Sequence, residues 1–361
     1  MKNMKVIVAA GGTGGHLYPA LALVEYIKKQ EPDSEFLFIG TKDRLESQVV
    51  PQMGYPYVGL NVKGLVGNPI QKAKSALLFI KSIGEAKKVV KKFKPDIVVG
   101  FGGYPSASAV EAACSLKIKT LIHEQNSIIG LTNKILIKKV DKIICCYQKA
   151  YQAFPHDKTL LLGNPRATVV SEIEPHDIYD KYQLDPNKKL ITIVMGSLGS
   201  RSVNDAMKEA MPLFEQKDYQ VLYVTGKPFY EDMKQYQNDH VKMVPYVDDM
   251  PSLLNHTDLI VSRAGASTIA EITAIGVPAI LIPSPYVAAN HQEYNALELV
   301  QQDAAKMILE KDLNAQAFVS LIDEVMGNQV TLDSLKQNAK KIGKPQACHD
   351  MYRVIKELLN E

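Results

Sequence analysis

Alternating strand-like and helix-like segments predict a parallel α/β protein built from two doubly wound domains. Three observations carry the prediction. Short, continuous apolar runs recur along the chain, as expected of strands buried on both faces. Helical patterns separate them. The order then restarts after residue 185, where ITIVMGSLGSRSVNDA echoes the KVIVAAGGTGGHLYPA of the N-terminus. Each reads as a strand, a glycine-rich turn and a helix. The first candidate strands are Lys5–Ala9, Glu35–Ile39, Ile97–Gly100, Thr120–His123 and Lys142–Cys145. The second set is Leu190–Met195, Gln220–Val224, Val241–Pro245, Leu259–Ser262 and Ala279–Ile282. The turn-forming Gly163-Asn164-Pro165 marks the join. It divides the chain into residues 1–163 and 164–345, with a last helix at about 346–361 expected to pack back across the first domain. In such folds a ligand is expected in a cleft outside the carboxyl ends of the strands.

The 361 residues are 46% apolar and 22% charged, enough for a full core in each domain. This ordinary balance excludes disordered, collagenous and coiled-coil classes. Cys114, Cys145, Cys146 and Cys348 show no CxxC spacing, so neither a zinc knuckle nor a redox pair is indicated. They read as packing residues of a protein in a reducing compartment. The apolar run Val6–Ala10 stops at GGTGG without a cleavage site and is not read as a signal peptide. The windows Val6–Val24 and Ile272–Gln292 are broken by glycines, prolines and polar residues, so no membrane span is expected. The net charge of +3 conceals +11 over residues 1–163 and −8 over residues 164–361. That split points to an anionic partner for the first half.

The chemistry gathers at strand ends. Gly11-Gly12-Thr13-Gly14-Gly15-His16 follows the first strand and opens a helix, so backbone N–H groups and the helix dipole can meet a phosphate. The bland alternative is a tight packing turn. A dinucleotide fingerprint fails at Leu17, and no acid ends the second strand at Ile39-Gly40-Thr41. No P-loop lysine follows the glycines. A nicotinamide enzyme or an NTPase is therefore disfavoured. Gly100–Ser106 (GFGGYPS) and Gly196–Ser200 (GSLGS) repeat the junction. Three such loops imply ligands with several phosphate or sugar oxygens.

Ser262–Glu271 reads as a strand end, a small-residue turn and a helix start, with Glu271 expected in the first turn. Its carboxylate suits a ribose diol. The competing reading is a Thr268-x-x-Glu271 capping box. Asn290-His291-Gln292-Glu293 follows a proline-rich strand exit and offers amides to sugar hydroxyls, or is a loop with an ordinary helix cap. His123-Glu124-Gln125-Asn126 ends another strand, where four polar residues mark a site more often than a plain loop. Ser127 stands where a metalloprotease motif needs histidine. His16 is the best-placed general base, because a helix N-terminus disfavours the imidazolium. Glu124 is the alternative. Asp248-Asp249 is better explained by a turn than by a metal, and no metal or other cofactor is expected.

Ile70–Lys94 carries eight lysines and one acid, Glu85. Ala73, Leu77, Ile80 and Ile83 form the expected core stripe, with Leu78 and Phe79 beside or outside it. The segment is either a solvated charged face or a peripheral membrane surface, in which apolar side chains dip into lipid and lysines meet anionic headgroups.

In this order, GGTGGHLYPA, GFGGYPS, HEQN, GNPR, GSLGS, SRAGASTIAE and NHQEYNA resemble the N-acetylglucosaminyltransferase family of peptidoglycan synthesis. The ordered set covers most of the chain and is far more specific than any one motif. The resemblance implies the GT-B fold, two Rossmann-like domains facing across a cleft. It implies inverting transfer of GlcNAc from UDP-GlcNAc to the C4 hydroxyl of MurNAc in undecaprenyl-pyrophosphoryl-MurNAc-pentapeptide (lipid I), giving lipid II and UDP. It also implies a peripheral place on the cytoplasmic side of the cell membrane, wall-synthesis proteins as further partners, and no nucleic acid. Carried over, Glu271 would hold the ribose diol and the backbone of Val247 the uracil edge. Ser197, Ala266, Ser267 and Thr268 would meet the diphosphate, and Ala266 with Gln292 the GlcNAc hydroxyls. Arg166 would sit near the nucleotide, and Thr13, Gly14, Gly15 and Asn126 near the donor sugar. The first loop and Gly102, Gly103 and Tyr104 would cradle the acceptor pyrophosphate. The membrane patch would use Leu77, Leu78, Phe79 and Ile80 with Lys72, Lys74 and Lys81, and also Leu65 and Val66, since the chain has no tryptophan. GSLGS departs from a more common glycine–glutamine pattern. Competing readings are another GT-B sugar-nucleotide enzyme (a UDP-GlcNAc 2-epimerase or a glycolipid synthase) and a non-catalytic, membrane-bound nucleotide-sugar binding protein.

Overall fold

A computed structural model describes residues 3–64 and 68–360. The chain forms two compact units. One runs to Arg166 and resumes at Gln346; the other spans Ala167–Pro345. The first holds β1 (Lys5–Ala9), β2 (Glu35–Thr41), β3 (Tyr57–Leu60), β4 (Ile97–Gly100), β5 (Lys119–Glu124), β6 (Lys142–Cys145) and β7 (Thr159–Leu161). They form one parallel sheet in the order β3-β2-β1-β4-β5-β6-β7. The second holds β8 (Lys189–Val194), β9 (Tyr219–Val224), β10 (Val241–Val244), β11 (Leu259–Ser262), β12 (Ala279–Leu281) and β13 (Lys306–Met307). Its parallel sheet runs β10-β9-β8-β11-β12-β13, so both units share the doubly wound order.

β3, β7 and β13 were not among the expected strands. Each lies at a sheet edge, is short, and is only partly buried. Such strands lack the continuous apolar run that betrays a central one. Along β1 the side chains alternate, as the two-residue period requires. Val6 and Val8 enter one core with the helix Gly14–Gln30 and the last helix, Ala347–Asn360, which contributes Met351, Val354, Ile355 and Leu358. Ile7 and Ala9 enter the opposite core, beneath the helices Pro69–Phe93 and Tyr104–Ser115. The last helix is further tied to the first by Tyr352 and Lys356, which both donate to Glu31.

The helix Pro69–Phe93 overturns one expectation. It starts as its sequence dictates, with proline in the first turn and an Asn68/Gln71 capping box. Its buried row, however, is Ser75, Ser82, Ala86 and Val90, not Ala73, Leu77 and Ile80. Ser82 meets Ser108 of the neighbouring helix at 2.7 Å. Two small, mutually satisfied hydroxyls let the helices approach closely. Leu77 and Ile80 consequently face solvent at 69% and 66% exposure, and Ile70 at 81%. Phe79 and Ile83 lean on the core, Leu78 is half-buried, and Lys72, Lys74 and Lys81 are exposed. Leu65 and Val66 lie outside the described residues. Among the described residues no helix is long and apolar enough to cross a membrane.

Candidate functional site

Within each unit the glycine-rich loops flank the point where strand order reverses. In the first unit they follow β1 and β4, and in the second β8 and β11. This is where an open α/β sheet binds ligands.

In the first unit the two loops touch. Gly11 donates its N–H to the carbonyl of Gly102, 3.2 Å away. A Cβ on Gly103 would lie 2.4 Å from the Gly11 carbonyl oxygen, and one on Gly102 would strike the His16 ring. These glycines therefore answer a packing demand as well as any ligand. The imidazole Nδ1 of His16 sits 2.7 Å from the Gly11 carbonyl oxygen. A carbonyl only accepts, so Nδ1 carries the proton and the lone pair of the neutral ring is on Nε2. Gly14 and Gly15 open the helix after the N-cap Thr13, whose carbonyl takes the His16 N–H at 3.1 Å, and no helical carbonyl reaches the N–H groups of those two glycines.

Sequence reasoning missed Glu46. Its carboxylate is 1% exposed and accepts from the N–H of Gly12, at 3.3 Å, and from both the N–H and the hydroxyl of Thr41, at 3.0 and 2.8 Å. It ties the loop after β1 to the exit of β2. No local pattern distinguishes it from any acid that starts a helix. One consequence bears on phosphate binding: the N–H groups of Gly11 and Gly12 are already spent.

The HEQN segment is deeply buried apart from Asn126. His123 donates from Nε2 to the Gly163 carbonyl at 3.0 Å, and burial lowers its pKa to about 4, so the ring is neutral. Glu124, 2% exposed, accepts from the N–H groups of Asn126 (3.1 Å) and Gly130 (2.8 Å) and from Asn133 Nδ2 (2.9 Å). Burial pushes its pKa up while these bonds oppose the rise. The carboxylate is engaged in folding the loop after β5. Arg166 starts a helix, its N–H held by Asn164.

In the second unit, a pocket of about 690 Å³ is lined by the loop after β8, the start of the helix after β11, and Ser284, Tyr286 and Gln292. Ser197 is exposed on that loop, whose Gly199 lies so close to Thr225 that a Cβ would stand 2.2 Å from its carbonyl oxygen. Thr268 and Gln292 line the pocket; Gln292 Oε1 accepts from the Ser284 N–H at 2.9 Å. Ala266 and Ser267 begin the helix Ala266–Ile275. Glu271 is its sixth residue, not in its first turn as expected. Gly265 is the N-cap, so Thr268 and Glu271 form no capping box. Glu271 is 7% exposed. Val247 is buried between β10 and a helix capped by Asp249, whose carboxylate takes the Ser252 N–H and the His176 ring and is held below its usual range. That accounts for Asp249 as a turn acid.

Arg263 was not singled out from the sequence either. It is 9% exposed and reaches the carbonyls of Ile282 and Pro283, the Ser200 hydroxyl at 2.7 Å and Glu310 at 2.5 Å. Ser202 also donates to Glu310. One buried guanidinium thus fastens the loop after β8 to two other strand exits. Among the described residues no cluster of three or more His, Cys, Asp or Glu is arranged to hold a metal ion.

The N-terminal domain model of glycosyltransferase family 28 matches residues 6–145, and the C-terminal domain model of that family matches residues 190–351. A Bacillus cereus UDP-N-acetylglucosamine–N-acetylmuramyl-(pentapeptide) pyrophosphoryl-undecaprenol N-acetylglucosamine transferase is 44% identical over 99% of this chain and 100% of its own length. The crystal structure of Acinetobacter baumannii MurG superposes with a TM-score of 0.81 at 26% identity, covering 99% of this chain and 100% of that one. A UDP-GlcNAc 2-epimerase from Neisseria meningitidis shares the fold at 14% identity and a TM-score of 0.68, over 98% and 100% of the two chains. The architecture is that of the GT-B fold. With both domain models matched and full-length identity of this order, the chain belongs to glycosyltransferase family 28, among its UDP-N-acetylglucosamine–N-acetylmuramyl-(pentapeptide) pyrophosphoryl-undecaprenol N-acetylglucosamine transferases, the MurG family.

Proposed function

We propose that the protein transfers GlcNAc from UDP-GlcNAc to the C4 hydroxyl of MurNAc in lipid I, releasing UDP and lipid II. The observation that carries this reading is the 44% identity to a transferase of that name over essentially the whole chain. The α-linked donor and β-linked product require inversion, hence a single displacement.

His16 is the proposed base. Its Nδ1–H bond to Gly11 fixes the ring and puts the lone pair of the neutral imidazole on Nε2, the atom assigned to take the C4 proton. Glu124, the other candidate, is read as a positioning residue because its oxygens are engaged in the loop. The donor side is assigned to the second unit: Glu271 for the ribose, the Val247 backbone for uracil, Ser197, Ala266, Ser267 and Thr268 for the diphosphate, and Ala266 and Gln292 for the sugar. Thr13, Gly14, Gly15, Asn126 and Arg166 are assigned to the donor from the first unit. Charge developing on the departing UDP would be met by N–H groups of helix first turns. The exposed Leu77 and Ile80, with Lys74 and Lys81 on the same side of one helix, suit an anionic bilayer surface, which supports a peripheral place on the cytoplasmic side of the membrane.

The test incubates purified protein with UDP-GlcNAc, with and without a soluble lipid I analogue. GlcNAc transfer only in the presence of acceptor is expected. ManNAc or UDP released without acceptor would overturn the reading in favour of an epimerase. Donor binding without transfer would leave a nucleotide-sugar binding protein.

A further inference from the structure

We propose that the acceptor's diphosphate is recognised in the N-terminal unit by three side-chain cations, Lys42, Arg44 and Lys63, beside the N–H groups of its glycine loops. The proposal rests on the transfer reading above and deepens it.

A pocket of about 650 Å³ lies over the exits of β1, β2 and β3 in this unit. That is room for a diphosphate with a sugar attached. His16, Tyr104, Lys42, Arg44 and Lys63 all line it, with Asp43 the single acid among the lining residues. Among the described residues none forms an ion pair with these three cations. The parallel order β3-β2-β1 brings the loops after β2 and β3 to the same edge as the loop after β1. Lys42 and Arg44 from one loop and Lys63 from the next therefore line the same pocket as the proposed base.

Two glycines of these loops have no N–H left to give, so on the backbone side only helix first-turn N–H groups, such as those of Gly14 and Gly15, remain. Gly11 gives its N–H to Gly102, Gly12 gives its N–H to Glu46, and Pro105 has none to give. A dianionic diphosphate still needs counter-charge. Arg44 offers the planar fork that matches phosphate oxygens, and the lysines supply point charges.

The experiment compares wild type with the triple variant Lys42→Gln/Arg44→Gln/Lys63→Gln, the single variant Lys63→Gln, and a control, Lys91→Gln/Lys92→Gln, at the far end of a helix in the same unit. Acceptor KM, donor KM and kcat are measured with diphosphate-linked and monophosphate-linked acceptor analogues. Inorganic pyrophosphate binding is measured separately by calorimetry. For the triple variant the diphosphate acceptor KM should rise roughly tenfold or more, with donor KM unchanged and kcat at saturation within about threefold. The single variant should show part of that rise, and the control none. The monophosphate acceptor should narrow the gap between wild type and variant. Equal acceptor KM in wild type and both pocket variants would overturn the proposal. Should wild type transfer nothing, the transfer reading fails, and pyrophosphate binding decides the site alone. Binding lost in the triple variant and kept in the control supports it, and equal binding refutes it.

Discussion

The two strand–turn–helix junctions follow one plan but are braced by opposite charges. In the N-terminal unit a buried carboxylate, Glu46, gathers the Gly12 N–H and the end of β2. In the C-terminal unit a buried guanidinium, Arg263, gathers carbonyls, Ser200 and Glu310. The shared backbone plan thus says little about how each loop handles an anion. A loop held by an anion has spent part of its donors, and positive charge beyond its helix-start N–H groups must come from side chains around it. A loop held by a guanidinium keeps its own N–H groups as well as those of the helix start, while Glu310 offsets the charge of Arg263. Those N–H groups are what suits an acidic half to be the proposed home of a diphosphate donor.

The largest effect should come from His16→Ala, which is expected to cut kcat about 10²- to 10⁴-fold while donor KM holds. Equal loss of both would make His16 a binding residue and erase the division of labour between the units. Next, Arg263→Leu strands Glu310 beside an apolar neighbour. It should destabilise the protein by about 3–5 kcal/mol in urea unfolding, partly restored by adding Glu310→Gln. A neutral outcome would mean that the guanidinium is no brace.

A third test lies beneath the first unit. The neutral His123 has a pKa of about 4, against 6.5 for an ordinary histidine. As pH falls through 6.5 the unfolded chain takes up a proton that the fold refuses. Stability is therefore lost between about pH 6.5 and 4, by about 3 kcal/mol in all, relative to His123→Gln. Parallel pH–stability curves for the two proteins would show that the ring protonates inside the fold. Glu46→Gln replaces one of the two oxygens that share the Gly12 N–H with an NH2 donor and should cost about 1–3 kcal/mol. It should lower kcat with donor KM unchanged; a change in donor KM instead would break the contrast with Arg263. The smallest effect is at the surface. Each charge reversal at Lys72, Lys74 or Lys81 should weaken binding to anionic vesicles by somewhat more than the ~1 kcal/mol a single lysine contributes. Binding that ignores salt and these changes would place the contact elsewhere.

The central strands and the glycine junctions were legible because both announce themselves locally, by an apolar run and by small residues at its end. Glu46 and Arg263 were not. Their partners lie on separate strand exits, and only the sheet order brings those together. The helix Pro69–Phe93 misled for another reason. Its stripe of large aliphatics looks like a core face, while the buried face is small and hydroxylated. Size was mistaken for inwardness. Glu271 was displaced by one turn because the helix starts at Ala266, where the small-residue turn hides the boundary.

That helix turned inside out has a further consequence for handling the molecule. Exposed Ile70, Leu77 and Ile80 stand among lysines, so two such faces repel one another at low salt. Added salt shortens that repulsion to a few ångströms and leaves the aliphatic row free to find its like. Concentrated salt should therefore drive self-association of this chain, and a mild detergent should reverse it.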